Sequence, residues 1–201
     1  MIATVIDYGA GNVTSVARAL RRVGAEVRFT NQPEDITDAR CLILPGVGHC
    51  AALFSSLDSH GLRQSLLTAI SRGTPFLGIC LGLQALYQSS AEAPEFSGLG
   101  LLRGHVDRLP QNAKLPHMGW NQVRPLRDCR LLNGIPSEAY FYFAHSYAAP
   151  AAGPATAATC EHSCEFAAIL ETERIFGVQF HPEKSAAPGA KLLENFLRVT
   201  A

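Results

Sequence analysis

The chain has 201 residues, of which 47% are hydrophobic and 17% are charged, and its formal net charge is zero. This composition is typical of a globular protein and excludes a disordered chain. The balanced charge argues against nucleic acid or an anionic membrane as a partner. No apolar run approaches the roughly 20 residues that a membrane-spanning helix needs. We expect residues 1–201 to form a single domain, and the absence of a basic, signal-like N-terminus favours a cytoplasmic protein.

The first half of the chain alternates strand and helix patterns. A β-branched apolar run at residues 2–6 precedes helical spacing from Val13 to Val23, which Gly24 ends. Further strands are predicted at residues 27–29, 41–44 and 75–79, with a helical pattern at residues 53–71 that is interrupted near Gly61. Strands that alternate with helices imply right-handed crossovers and a parallel sheet covered on both faces.

The second half of the chain is richer in strand patterns. Strands are predicted at residues 104–109, 119–123, 139–144, 166–170 and 175–180. The alanine- and proline-rich segment from Ala148 to Ala158 is interpreted as a loop or a weak edge strand. Apolar residues at helical spacing predict a final helix from Gly189 to Val199. The whole pattern predicts one α/β domain.

A cysteine between two glycines is the strongest chemical signal in the chain. Gly78-Ile79-Cys80-Leu81-Gly82 follows an apolar strand pattern and precedes a helix-like stretch from Leu83 to Tyr87. A sharp strand-to-helix turn exposes a nucleophile, and its glycines prevent Cβ clashes. The free N–H groups at a helix N-terminus favour a thiolate. For this motif alone, a buried structural cysteine is about as good an interpretation.

His181-Pro182-Glu183 provides a candidate base and its orienting acid. Residues two apart in extended chain share a face, and Pro182 keeps His181 out of the helical region. His181 can then take the thiol proton while Glu183 holds the imidazole tautomer. A surface turn is the alternative. His145 is a rival base, but no carboxylate follows it two residues later, so we expect a structural role behind the site.

Pro45-Gly46-Val47-Gly48 follows the third predicted strand and is a candidate oxyanion turn. Its glycines allow the backbone to approach a ligand, and the N–H of Val47 or Gly48 could face a developing oxyanion together with that of Leu81. An ordinary glycine-rich turn would explain the motif alone equally well. In parallel sheets such turns gather at the carboxyl ends of the strands, where ligands bind.

The spacing of the cysteines favours structural thiols over disulfides or a metal site. They are Cys41, Cys50, Cys80, Cys129, Cys160 and Cys164. Cys160 and Cys164 flank His162, but this spacing is unlike that of usual zinc sites and no second pair matches it. We therefore expect reduced structural thiols, no metal site and no cofactor.

Taken together, residues 78–84 and 177–183 resemble the class I (triad) glutamine amidotransferases. The resemblance implies a flavodoxin-like α/β fold, with a parallel or mixed central sheet flanked by helices and an added β-layer from the second half. It also implies a catalytic triad of Cys80, His181 and Glu183 that hydrolyses glutamine to glutamate and ammonia.

A closer resemblance, to the glutaminase subunits of imidazole glycerol phosphate synthase, covers essentially the whole chain. The matching segments are Tyr8-Gly9-Ala10-Gly11-Asn12, Pro45-Gly46-Val47-Gly48, Pro116-His117-Met118-Gly119-Trp120-Asn121, His145-Ser146-Tyr147 and Lys184-Ser185. The implied glutamine-binding residues are Gly48, Gln84, Ser146 and Tyr147. The implied partner is a (β/α)₈ cyclase subunit, which uses the ammonia to form imidazole glycerol phosphate and AICAR in histidine biosynthesis. Asn12, Trp120 and Lys184 are expected at that interface.

Three other functions remain open from the residues. The chain could serve another synthase of the same family, such as one for anthranilate or pyridoxal phosphate. It could be a γ-glutamyl thiol hydrolase that acts alone, although such an enzyme should lack the His117–Asn121 and Lys184-Ser185 segments. It could also be a non-catalytic interaction subunit, which the intact Cys80, His181 and Glu183 argue against.

Overall fold

The computed structural model describes residues 1–9, 12–112 and 114–199. Ala10 and Gly11 of the Tyr8–Asn12 segment therefore lie outside the described residues. The strands are β1 (Ile2–Ile6), β2 (Glu26–Thr30), β3 (Leu42–Gly46), β4 (Phe76–Cys80), β5 (Ser89–Ser90), β6 (His105–Arg108), β7 (His117–Gln122), β8 (Arg124–Pro125), β9 (Tyr140–His145), β10 (Tyr147–Ala148), β11 (Thr156–His162), β12 (Cys164–Glu171) and β13 (Ile175–Val178). The helices are α1 (Val13–Arg22), α2 (Pro33–Thr37), α3 (Cys50–Ser59), α4 (Leu62–Ser71), α5 (Leu81–Gln84) and α6 (Ala186–Val199), with 3₁₀ turns at Arg130–Leu132 and Pro182–Lys184.

An eight-stranded mixed sheet forms the centre of the molecule, in the order β2-β1-β3-β4-β13-β12-β11-β8. The five strands from β2 to β13 pair in parallel, in the flavodoxin-like order, and the remaining three pair antiparallel. Two smaller sheets, β10-β6-β5 and β7-β9, come from the second half of the chain except for the short β5. The flavodoxin-like mixed sheet expected from the resemblance is confirmed.

Two apolar cores, one on each face of the sheet, follow from the alternation of side chains along the strands. In β3, Ile43 belongs to one core, whereas Leu42 and Leu44 belong to the other. The first core is closed by α1, α6 and β9, and the second by α2, α3 and α4. Burial on both faces explains why the parallel strands are continuously apolar in sequence.

The structure corrects the interpretation of Ala148–Ala158 as a loop or weak edge. Thr156 to Ala158 begin β11, which lies inside the sheet between β12 and β8. Alanine has a low strand propensity, so the local pattern is weak. The strand is nevertheless stabilised because β12 pairs along its length and residues 156–160 are buried.

Helix boundaries differ from the sequence predictions in three places. The stretch expected to be helical from Leu83 to Tyr87 begins earlier, as the four-residue α5. The final helix starts at Ala186, three residues before Gly189, and the short α2 was not predicted. The interruption near Gly61 is confirmed, since Gly61 adopts a left-handed conformation (φ 66°) between α3 and α4. In the described ranges no helix is long and apolar enough to cross a membrane.

Gly189 lets α6 approach the turn that carries Glu183, and this contact can be tested. A Cβ at Gly189 would lie 2.0 Å from the carbonyl oxygen of Pro182. We expect Gly189→Ala to lower the free energy of unfolding by about 1–3 kcal/mol, because the backbone must shift. This is a net loss, because the cost of the backbone shift outweighs the roughly 1 kcal/mol that alanine contributes through its higher helix propensity.

Urea unfolding of both the variant and a matched glycine control would measure this effect. At Gly153, the nearest atom to an added Cβ is Thr156 Oγ1 at an ordinary 3.4 Å. Gly153→Ala should change stability by no more than about 0.5 kcal/mol. Equal stabilities of the two variants would contradict the proposed contact.

Candidate active site

A cavity of about 240 Å³ opens beyond the carboxyl ends of β3, β4 and β13. Its lining residues are Val47, Gly48, Cys80, Leu81, Gln84, Glu92, Ala144, His145, Ser146, Tyr147, His181 and Lys184. The volume suits a small metabolite rather than a polymer. The sheet thus brings together most of the site residues predicted from separate parts of the sequence, but Glu183, Asn12 and Trp120 are not among the lining residues.

Cys80 occupies a strained turn at the end of β4. Its φ of 54° is rare for a residue other than glycine. The flanking glycines provide space: a Cβ at Gly78 would lie 2.3 Å from the Gly82 oxygen, and a Cβ at Gly82 would lie 2.0 Å from the Leu44 oxygen. The predicted strand-to-helix turn is present, and its strain falls on the cysteine itself.

His181 and Glu183 form a buried pair beside Cys80. His181 Nδ1 lies 2.9 Å from Glu183 Oε1, and their side chains are only 3% and 1% exposed. Burial lowers the pKa of His181, but hydrogen bonds to Cys80 and Glu183 and electrostatic interactions with both groups together raise it to about 10. His181 is therefore held as an imidazolium between a sulfur and a carboxylate.

The predicted oxyanion and substrate residues line the same cavity. Gly48 has a φ of 94°, which explains the need for glycine there. Leu81 is the first residue of α5, so its N–H has no partner within the helix. Gln84 lies on α5 and donates from Nε2 to the Tyr147 carbonyl oxygen at 2.7 Å. Ser146 lies between the ends of β9 and β10.

Two of the residues predicted to contact a partner, Trp120 and Lys184, form an exposed patch next to the cavity, whereas Asn12 is half-buried. Trp120 on β7 is 53% exposed and its ring meets Tyr142 edge-on at 5.9 Å. Lys184 Nζ lies 5.6 Å from the centre of the Tyr142 ring and also lines the cavity. Asn12 lies immediately before α1, and α1 packs against the 3₁₀ turn that carries Lys184.

Glu92 is a cavity residue that no sequence motif predicted. It lies just after β5, and its Oε2 accepts a hydrogen bond of 2.9 Å from the Cys50 backbone N–H. That N–H begins α3, where a carboxylate is favourable. The local sequence, Ala91-Glu92-Ala93, carries no signal of this role, because the fold alone brings Glu92 to the cavity.

The comparisons with known proteins agree with this geometry. The family model for class-I glutamine amidotransferases matches residues 4–199. The chain belongs to this family. It is 48% identical to the imidazole glycerol phosphate synthase subunit HisH of Moorella thermoacetica, covering 96% of this chain and 92% of that protein. It is 45% identical to the subunit of the same name from Methanothermobacter thermautotrophicus, covering 97% of each chain.

Solved structures support the fold. A crystal structure described as a glutamine amidotransferase superposes with a TM-score of 0.79 at 19% identity, covering 100% of this chain and 99% of the other. A putative GMP synthase protein from Thermoplasma acidophilum gives a TM-score of 0.71 at 23% identity, with 100% and 94% covered. At these identities the likeness concerns the amidotransferase fold only.

In this amidotransferase, the cavity residue His145 forms a neutral, buried pair with His117. His145 Nδ1 donates to the Tyr147 carbonyl oxygen at 2.9 Å, so its Nε2 accepts from His117 Nδ1 at 3.0 Å. His117 stacks between Phe143 and His162, with ring centres 4.8 and 4.1 Å away. Burial lowers the pKa of His145 to about 3 and that of His117 to about 4.

The Cys160–Cys164 segment forms the β11–β12 hairpin. Cys164 pairs with His162, and Cys160 pairs with Phe166. Burial raises the pKa of the Cys160 thiol to about 12, which disfavours the thiolate that a metal needs. Within the described ranges, no group of three or more His, Cys, Asp or Glu side chains could hold a metal ion.

The neutral histidines should make this amidotransferase sensitive to acid. Because the pKa of His117 is near 6.5 when unfolded and about 4 when folded, acidification favours the unfolded state. This contribution is complete above pH 6.5 and is lost as the pH falls towards 4. His117→Phe should flatten the pH dependence of the unfolding free energy by at most about 1.4 kcal/mol per pH unit in that window.

Urea unfolding between pH 5 and pH 7 would measure the slope. His60→Phe is the matched control, since His60 is an exposed histidine at the end of α3. The control should keep the wild-type slope. An unchanged slope in His117→Phe would refute the assignment of a buried neutral imidazole.

Proposed function

We propose that this chain is the glutaminase subunit of an imidazole glycerol phosphate synthase, built as a single domain over residues 1–201. The proposal depends most on one observation: Cys80 and His181 line one small cavity of a class-I amidotransferase, and Glu183 is hydrogen-bonded to His181. The relatives that carry the HisH name favour this branch over other synthases and over a solitary hydrolase. The six cysteines form no disulfide bonds, which fits a reducing, cytoplasmic location.

Catalysis would begin with attack of the Cys80 sulfur on the side-chain carbonyl carbon of glutamine. The carbonyl electrons move to oxygen, where the N–H of Leu81 and that of Val47 or Gly48 would stabilise the oxyanion. As the tetrahedral intermediate collapses, its C–N bond breaks and His181 gives its proton to the leaving nitrogen. Ammonia departs and a γ-glutamyl thioester remains on Cys80.

Water completes the reaction. The now neutral His181 takes a proton from the water as its oxygen attacks the thioester carbonyl, and a second oxyanion forms in the same place. The C–S bond then breaks, glutamate leaves, and the thiolate–imidazolium pair is restored. Glu183 keeps Nδ1 of the imidazole occupied, so that the other ring nitrogen faces the reacting atoms.

The cavity also provides groups for the amino-acid end of glutamine. Both N–H bonds of Gln84 Nε2 are used inside the protein, on the Tyr147 oxygen and on Gln179 Oε1. Gln84 can therefore offer substrate only its own oxygen, an acceptor. Glu92 adds a carboxylate to the same wall. An acceptor and an anion together suit the α-ammonium group of glutamine.

Release of ammonia requires an acceptor protein, and the exposed patch would bind it. Trp120 and Lys184 meet over Tyr142 at the rim of the cavity. Exposed aromatic residues are characteristic of protein interfaces. We propose that this patch, with Asn12, contacts a (β/α)₈ cyclase subunit in a heterodimer, so that ammonia passes directly from one site to the other.

The principal test is glutamate production from glutamine, with and without the cyclase and its nucleotide substrate. The wild-type chain should be stimulated by the complete system, and Cys80→Ala should abolish turnover because no thioester can form. Cys164→Ala, at a partly exposed cysteine in the hairpin, should retain wild-type activity. Equal rates with and without cyclase would contradict the two-protein system, and activity of Cys80→Ala would contradict the mechanism.

Replacement of Glu92 would test recognition of the substrate ammonium group. Glu92→Gln keeps an oxygen for the Cys50 N–H but removes the charge. We expect KM for glutamine to rise about 10- to 100-fold, as for loss of a hydrogen bond to a charged group, with a smaller change in kcat. Glu95→Gln, at an exposed neighbour, should leave both constants unchanged. A fall in kcat at constant KM would place Glu92 elsewhere in the mechanism.

A further inference from the structure

Gln179 is a buried polar residue that the mechanism above does not use. It directly follows β13, its exposure is 0%, and its backbone N–H donates to the Ala168 oxygen at 2.9 Å. His181 lies two residues further along the chain. Both of them reach Cys80: Gln179 Nε2 lies 3.6 Å from Cys80 Sγ.

The neighbouring groups fix which end of the Gln179 amide faces the sulfur. The Tyr147 carbonyl oxygen can only accept, so the atom of Gln84 that lies 2.7 Å from it must be Nε2. The same nitrogen lies 3.1 Å from Gln179, which must therefore present its oxygen. The amide nitrogen of Gln179 is left to face Cys80, as a donor.

The position of this donor is secured at both ends. The strand pairing of β13 with β4 holds the backbone, with Val178 opposite Ile79. The hydrogen bond from Gln84 holds the amide, and Gln84 is itself anchored on the backbone of Tyr147. A donor held in this way needs no reorganisation when charge appears on the sulfur.

We propose that Gln179 is a catalytic residue that donates a hydrogen bond to the Cys80 thiolate. The proposal deepens the glutaminase function above and depends on it. The bond stabilises the charged sulfur before attack and again when the thiolate leaves the thioester during hydrolysis. His181 is an imidazolium again when the thiolate leaves, and Gln179 adds a second donor to the sulfur that is in place without any proton transfer.

The rate of Cys80 alkylation by iodoacetamide, measured against pH, tests the donor directly. Mass spectrometry of the peptide that contains Cys80 separates it from the other cysteines. Removal of the donor in Gln179→Leu should move the half-maximal pH upward by about one unit, the effect of losing a hydrogen bond to a charged group. The variant should therefore react more slowly below that pH and at least as fast well above it. A merely structural defect would slow the reaction at every pH.

Gln179→Glu separates the donor role from packing. Glutamate has nearly the same shape and still accepts from Gln84, but it turns an oxygen towards the sulfur. We expect the half-maximal pH of Cys80 alkylation to rise further than in Gln179→Leu. The kcat for glutamine should be at least tenfold lower than in the wild type, with little change in KM. Because this variant is nearly isosteric, it decides the matter if Gln179→Leu does not fold.

Asn195→Leu is the matched control, since Asn195 is a buried amide in α6 that donates to two backbone oxygens far from the cavity. This variant should lower the free energy of unfolding but leave the pH profile of Cys80 alkylation and kcat unchanged. Wild-type profiles in both Gln179 variants, with glutaminase activity intact, would overturn the role of Gln179 but not the function. Absence of glutaminase activity in the wild-type chain with cyclase would overturn the proposed function itself.

Discussion

The site depends on one backbone contact, between the end of β3 and the turn after β4. A Cβ at Gly46 would lie 2.5 Å from Leu81 Cβ and 2.8 Å from the Gly82 nitrogen. The strand and the turn therefore touch through bare backbone. This contact holds Cys80 in a conformation that an isolated chain would avoid, at a cost of order 1–3 kcal/mol that the surrounding packing must offset. The nucleophile is thus positioned by rigid elements rather than by a loop.

Two histidines in the same cavity show how surroundings set chemical roles. His181 faces Cys80 and a carboxylate, and its pKa is raised, whereas His145 faces a backbone oxygen and other imidazoles, and its pKa is lowered. When the environments of two titratable groups shift their pKa values in opposite directions, the groups can be assigned different chemical functions. In the proposed mechanism His181 is the proton carrier. His145 supports the Tyr147 backbone, on which Gln84 is also anchored.

Sequence reasoning predicted those parts of the molecule that depend on local pattern. The parallel strands, the turn at Cys80 and the pairing of His181 with Glu183 all follow from the spacing of apolar residues, glycine and proline. The interior strand Thr156–His162 was missed because its stability comes from distant partners rather than from its alanines. Glu92 was missed for the same reason, since only the fold brings it to the cavity. The orientations of the Gln84 and Gln179 side-chain amides could not be predicted from the sequence, because either end of an amide could face the sulfur.

The order of strands in the sheet determines when the site is assembled during folding. Cys80 ends β4, but its neighbour β13, which leads to His181, comes about a hundred residues later and lies between β4 and β12 in the sheet. Such a long-range pairing closes late and slowly. Until the last interior strand is inserted, the thiol has neither base nor donor beside it. In the proposed mechanism, a growing or half-folded chain would therefore carry an inert cysteine, and ammonia release would begin only with the finished sheet.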